Sequence, residues 1–220
     1  MSEAHAPGLA HQYETPRQQY EAANLGMWVF LVQEILFFGG LFGGYTVYRT
    51  RYFDAFVQGS HHLDVLLGAI NTAVLITSSL TMAMAVRSAQ TGRRRPLMAY
   101  LTATLLLGCA FLGIKAVEYT HKYHEGLVPG ASFVVDSPAA GHLKIFFSFY
   151  FVMTGMHAFH MVVGVGLMSW LLIGAARRRF SPRYFTPVEA CGLYWHFVDI
   201  VWIFLFPLLY LIGRHYPAAA

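Results

Sequence analysis

Charge is what this chain has least of. Only 12% of its 220 residues are Asp, Glu, Lys or Arg, about half the share of an ordinary soluble domain. At the same time 56% are hydrophobic and the mean hydropathy is +0.48. That balance excludes a typical water-soluble fold. Cysteine is scarce too: Cys109 and Cys191 stand inside apolar runs and in no C-x-x-C, C-x-x-C-H or zinc spacing. Neither a disulfide framework nor covalently attached haem is implied, and both read as small core residues. Also missing are G-x-S-x-G, H-E-x-x-H, a phosphate loop and a dinucleotide fingerprint. No self-contained catalytic apparatus is visible, and no catalytic residue and no metal site is assigned. There is no repeat of 20–50 residues. The basic pI of 9.1 comes from short clusters beside the apolar runs, which mark membrane topology and give no nucleic-acid face.

What remains is a polytopic, all-α membrane bundle, because only helices and closed barrels satisfy their backbone in hydrocarbon and these runs are too long for barrel strands. Five transmembrane helices are expected, at about 22–48, 65–86, 96–119, 145–176 and 190–212, forming one domain over 22–214. Residues 1–21 are polar and lack the pattern of a signal peptide, so the first span is expected in the mature chain. It carries Gly39, Gly40, Gly43 and Gly44, a strip another helix can approach. The second span has Asn71, Thr72, Thr77, Ser78, Ser79 and Thr81, read as interhelical glue. The third is expected to start at Pro96 as its first helical residue. Residues 121–141 read as an ordered surface loop, and the short link 177–187 makes the last two spans antiparallel neighbours. One side collects Arg17, Arg87, Arg93, Arg94, Arg95, Arg177, Arg178, Arg179 and Arg183, and the other Arg49, Arg51, Lys122 and Arg214. The positive-inside rule then puts the N-terminus in the cytoplasm and the C-terminus outside. Arg177, Arg178 and Arg179 are also suited to hold anionic lipid headgroups.

Ionisable residues inside such spans are costly. Glu34 sits among Leu31, Val32, Ile35, Leu36, Phe37 and Phe38, where burial disfavours the charged form. It reads either as a functional carboxyl, for lipid or proton, or as a neutral interhelical acid. His157 and His160, and likewise His196 and Asp199, lie three residues apart and so on one helix face. At similar depths, these five residues from three helices are expected to form one polar interhelical layer. Structural hydrogen bonding, proton handling and metal ligation are the readings open to them, although adjacent i, i+3 histidines compete for one side of a haem. Lys115 and Glu118 can pair near the outer end of the third span.

Five segments then carry a resemblance. The run Tyr194-Trp195-His196-Phe197-Val198-Asp199-Ile200-Val201-Trp202 resembles the last helix of subunit III of haem-copper terminal oxidases, the cytochrome c and quinol oxidase family. Gln33 to Phe38 resembles the family helix with a buried, carbodiimide-reactive carboxyl. Asn71 to Leu75 looks like the start of the next helix, Glu118-Tyr119 like the end of the following one, and Thr154 to His160 matches T-G-x-H-x-x-H. The similarity spans about residues 22–214. It departs at the front, where longer members have two further helices and the short five-helix bacterial members do not.

The resemblance implies a non-redox accessory subunit in the prokaryotic cell (inner) membrane. Such a subunit binds no haem or copper itself, since both lie in partner subunits. It packs on the catalytic subunit I with other oxidase subunits, holds phospholipid and supports proton uptake, and it can join a larger respiratory supercomplex. Two other classes stay open from the residues: a haem- or metal-binding electron carrier, and a stand-alone proton-coupled transporter.

Overall fold

The structure is a computed structural model and describes residues 11–130, 133, 140–182 and 184–215. Arg183 and most of the 131–139 stretch of the expected surface loop lie outside these. Among the described residues all regular structure is helical apart from an isolated Ser181–Tyr184 bridge. The helices are α1 (Pro16–Arg51), α2 (Phe53–His61), α3 (Val65–Gln90), α4 (Arg94–His124), α5 (Ala140–Ala176) and α6 (Thr186–Tyr210), closed by a 3₁₀ turn at Ile212–His215. Five of them, all but α2, are long and apolar enough to cross a membrane.

Helices outrun the apolar spans because lipid limits the apolar length and not the helix. α1 starts at Pro16, six residues ahead of the expected boundary, where the Thr15 hydroxyl accepts from Gln18 N at 3.1 Å. This N-cap satisfies a donor that the first turn otherwise orphans. Asp64 caps α3 in the same way, accepting from Leu66 N at 2.9 Å and Leu67 N at 3.1 Å. α4 begins at Arg94, two residues before Pro96. Proline is tolerated there because N–H groups of the first turn have no intrahelical acceptor. α2 occupies what reads in sequence as a plain connection. Its Ala55, Phe56, Val57, Gly59 and Ser60 are buried, and it lies on α5 and the closing 3₁₀ turn.

α3, α4, α5 and α6 form a ring in which each packs on two neighbours, and α1 leans on α5 and α6 from outside. α6 is accordingly the most buried span and α1 the least. Two glycines let Trp195 of α6 lie flat inside the ring. A Cβ at Gly108 of α4 would come within 2.7 Å of its ring, and one at Gly164 of α5 within 2.7 Å. The glycine strip on α1 behaves differently. Nothing of this chain lies within 4 Å of a Cβ at Gly39, Gly40 or Gly43, and only Gly44 meets a neighbour, Phe149. Cys191 is buried as expected of a core residue, whereas Cys109 is exposed on the outer face of α4.

At one end, Arg94 closes the C-terminus of α5, its guanidinium donating to Ala175 O at 3.0 Å and Ala176 O at 2.6 Å. The Tyr20 hydroxyl donates to Glu189 at 3.2 Å, joining the starts of α1 and α6 at this same end. At the other end, the Tyr45 hydroxyl donates to Leu208 O at 2.7 Å, tying α1 to the end of α6.

Candidate functional site

The polar interior divides into three places. The largest gathers around Lys115 of α4, which is 3% exposed. Its ammonium donates to Glu118 Oε2 at 3.0 Å, to the Tyr210 hydroxyl at 2.9 Å and to the Tyr150 hydroxyl at 3.2 Å. Both tyrosines in turn donate to Glu118 Oε1, at 2.5 Å from Tyr210 and 2.8 Å from Tyr150. The ammonium also lies 5.1 to 5.6 Å from the ring centroids of Tyr119, Tyr150, Trp202 and Tyr210, within the range of cation–π attraction. All three donors of the lysine and both carboxylate oxygens are therefore used. A buried ion pair survives desolvation only under such saturation.

Lys115 and Glu118 thus form the i, i+3 pair that their spacing suggests, and the pair is buried. It is the centre of a buried cluster reaching α5 and α6. Tyr150 and Tyr210 were not evident as members, because a tyrosine in an aromatic-rich span looks like any other core ring. The available signal was the unmet valence: a lysine in hydrocarbon needs three acceptors, and one glutamate does not supply them.

The second place joins α1 to α5. His160 Nε2 lies 3.1 Å from Glu34 Oε2, and His160 Nδ1 lies 2.8 Å from Met156 O. A carbonyl can only accept, so Nδ1 carries a hydrogen. The contact to Glu34 then holds one further proton, on either atom, and is neutral overall in both forms. Phe38 packs on the imidazole at 5.3 Å, and the Tyr194 hydroxyl donates to His160 O at 2.8 Å. Glu34 has no basic neighbour in sequence. Its partner stands 126 positions away, beyond the reach of local reading.

The third place lies between α3 and α6. Trp195 Nε1 donates to Ser78 Oγ at 2.8 Å, Trp202 Nε1 donates to Thr72 Oγ1 at 3.1 Å, and Ser79 Oγ lies 2.7 Å from His196 Nδ1. Of the small polar residues on α3, Thr72, Ser78 and Ser79 bond to α6, and Thr81 reaches Thr104 of α4 at 2.8 Å. Thr77 instead donates back to Ala73 O, and Asn71 is fully buried without a hydrogen-bond partner. Asp199, 2% exposed, likewise has no partner for either oxygen.

The five residues expected to share a layer do not meet in one. Glu34 and His160 face each other across α1 and α5, while His196 turns to α3. His157, on the face of α5 toward the ring interior, lies between Phe111 and Trp202, with centroids 5.3 and 5.1 Å away, and neither nitrogen is hydrogen-bonded. Residues at i and i+3 differ by about 60° around a helix, enough to send His157 inward and His160 toward α1. Among the described residues no group of three or more His, Cys, Asp or Glu is placed to hold a metal ion. Arg177, Arg178 and Arg179 are exposed at the end of α5, and Arg178 adopts a left-handed φ of 56° in the turn that leads on to α6.

Comparison with known proteins gives a concordant result. The family model described as cytochrome c oxidase subunit III matches residues 10–214. The quinol oxidase subunit 3 of Bacillus subtilis (strain 168) is 33% identical over 205 residues, 93% of this chain and 92% of the relative. The cytochrome c oxidase subunit 3 of Corynebacterium diphtheriae is 34% identical over 191 residues, 86% of this chain and 87% of the relative. The cytochrome bo(3) ubiquinol oxidase subunit 3 of Pseudomonas aeruginosa is 29% identical over 213 residues, 97% and 95% of the two chains.

Proposed function

The chain belongs to the cytochrome c oxidase subunit III family, and from this premise we propose that it is the non-redox accessory subunit of an aerobic haem-copper oxidase in the bacterial membrane. In this reading it stabilises the catalytic subunit I, binds phospholipid and supports proton uptake while its partners, which carry the haem and copper, reduce oxygen. It can enter a larger respiratory supercomplex with them. The N-terminal segment faces the cytoplasm and the C-terminus the outside. Residues 22–214 form a single five-helix domain, with Arg177, Arg178 and Arg179 at cytoplasmic headgroup depth. Lys144 adds to the outer basic residues and leaves the arginine excess on the inner side.

The observation that supports the accessory role best is how the polar interior is occupied. Lys115 and Glu118 spend their hydrogen bonds on Tyr150 and Tyr210, and Glu34 and His160 bond to each other. These are bonds that fix helices, and Glu34 stands on α1, the least buried span, beside lipid and within reach of a proton. The electron-carrier alternative asks His157 and His160 to ligate together, and they face different neighbours.

Purification of the chain from its native membrane in mild detergent tests the reading. Haem-bearing oxidase chains are expected to co-purify with it, while the separated chain shows no haem absorbance. Stoichiometric haem on the separated chain would overturn the accessory role, and Ala substitution at His157 and His160 would then locate the ligands. Proton or solute movement by the chain alone in liposomes would favour the transporter.

A further inference from the structure

Beside the rungs that join α3 to α6, a groove of about 390 Å³ opens toward the lipid-facing side of the ring. Its walls include Leu75, Ile76 and Ile203, and its polar residues are Ser79, His196 and Asp199. The rim is aliphatic and exposed, with Ile76 54% and Ile203 44% accessible. Asp199 itself is 2% exposed. Ser79 stands on the facing helix, close enough to act on the carboxyl. Its hydroxyl, however, lies 2.7 Å from His196 Nδ1, and neither Asp199 oxygen has a hydrogen-bond partner.

Three acids are buried among the described residues: Glu34, Glu118 and Asp199. The first two are bonded within the chain. Asp199 is the exception, and a buried acceptor without a donor is strongly unfavourable in hydrocarbon. Within the chain the nearest donor is the Ser79 hydroxyl, which is already engaged with His196, so a donor at hydrogen-bond distance is one that comes across the groove. Lipid is poorly suited to supply it. Asp199 lies thirteen residues into α6, about 20 Å along the helix axis, close to mid-span in a hydrocarbon core about 30 Å thick. Acyl chains fill that depth and carry no donors. A neighbouring membrane helix can bring one there.

We infer that the α3–α6 groove is the seat of a transmembrane helix from another oxidase subunit, which inserts a hydroxyl- or carboxamide-bearing side chain to hydrogen-bond Asp199. The aliphatic rim packs against that helix. His196 supplies the matching polarity: Nδ1 is engaged by Ser79 Oγ at 2.7 Å, which leaves Nε2 as the ring nitrogen free to donate or accept. A hydroxyl or carboxamide can both donate and accept, as an Asp–His pair asks. This inference rests on the proposed place of the chain as a subunit.

The test uses the intact oxidase in its membrane. Photoreactive benzoylphenylalanine is placed singly at Ile76 and Ile203 on the groove, and at Leu36 of α1 and Leu106 of α4, which are exposed elsewhere. Illumination is expected to cross-link the two groove positions to another subunit of the purified oxidase, identified by mass spectrometry. Asp199→Leu is expected to lower the fraction of this chain retained on the oxidase through mild detergent about tenfold, the scale of a lost hydrogen bond, with Asp199→Asn largely retained. Ile76→Trp, which fills the groove from its rim and leaves the Asp199 carboxyl in place, should lower retention as well. Cross-links confined to Leu36 or Leu106, or full retention of both Asp199→Leu and Ile76→Trp, would overturn the inference while the subunit reading stands. Absence of any haem-bearing chain from the purified material would overturn both.

Discussion

Two buried polar sites in this bundle meet opposite fates. Lys115 and Glu118 are enclosed by Tyr150, Tyr210 and Trp202, and each polar atom has a partner inside the chain. Asp199, about three turns before Tyr210 on α6 and no more exposed, has none. Both cost free energy to bury, so the difference shows which cost the fold covers by itself. The Lys115 cluster ties α4, α5 and α6 together and belongs to the folding of this chain. The Asp199 groove is left for something outside it.

The largest effect should follow from opening the closed cluster. Lys115→Met leaves Glu118 buried without its cation, and stability in detergent is expected to fall by about 3–5 kcal/mol, read as a drop in the thermal midpoint. The double variant Lys115→Met/Glu118→Gln should recover part of that loss, because the two changes share one set of partners. Equal losses in single and double variants would show that the cluster is merely packed, and the contrast with Asp199 would collapse. Gly164→Ala should come next. Its Cβ would stand 2.7 Å from the Trp195 ring, and overpacking of this kind costs about 1–3 kcal/mol. Gly40→Ala, with open space around it, is the matched control and should leave the midpoint unchanged.

Glu34 tests the middle ground between the closed and the open site. In Glu34→Gln the carboxamide can still donate to His160 Nε2, so a loss within about 1 kcal/mol is expected. A much larger loss, measured by the same unfolding assay, would mean that the pair is ionic. The smallest effect belongs to the loop side of the bundle. Partial covering of the otherwise exposed His62 ring lowers its pKa, with Lys122 acting in the same direction, Glu125 opposing it and His61 adding to it. Because the folded value lies below the unfolded one, stability is fully present above about pH 6.5 and declines as the pH falls through that value. His62→Gln should flatten this slope in unfolding profiles recorded between pH 7 and pH 5.

Much of this architecture was readable from the chain, for a physical reason. Long apolar runs have only one way to satisfy their backbone in lipid, so the five spans follow from hydropathy and composition. Helix ends did not follow, because Thr15 and Arg94 start helices in polar sequence that no membrane limits. α2 was missed since its apolar residues are too few to span and read as loop. In the polar interior, spacing along one helix identified Lys115 with Glu118, but it could not supply Tyr150 and Tyr210, nor the partner of Glu34 on α5. Spacing also suggested that His157 and His160 act together. About 60° of helix rotation separates them, and the ring around Trp202 takes one while α1 takes the other. The six residues from Tyr194 to Asp199 carry the plainest family mark and, at Asp199, a buried carboxyl without a hydrogen-bond partner.

The contrast between the closed cluster and the open groove can be put to one comparison: thermal unfolding of the purified full chain in detergent, for Asp199→Leu beside Lys115→Met. The expected result is a clear fall in midpoint for Lys115→Met and a midpoint at or above that of the native chain for Asp199→Leu, since removing an unpaired buried carboxyl relieves a cost. A fall for Asp199→Leu as large as that for Lys115→Met would contradict it and make Asp199 a structural residue of this bundle.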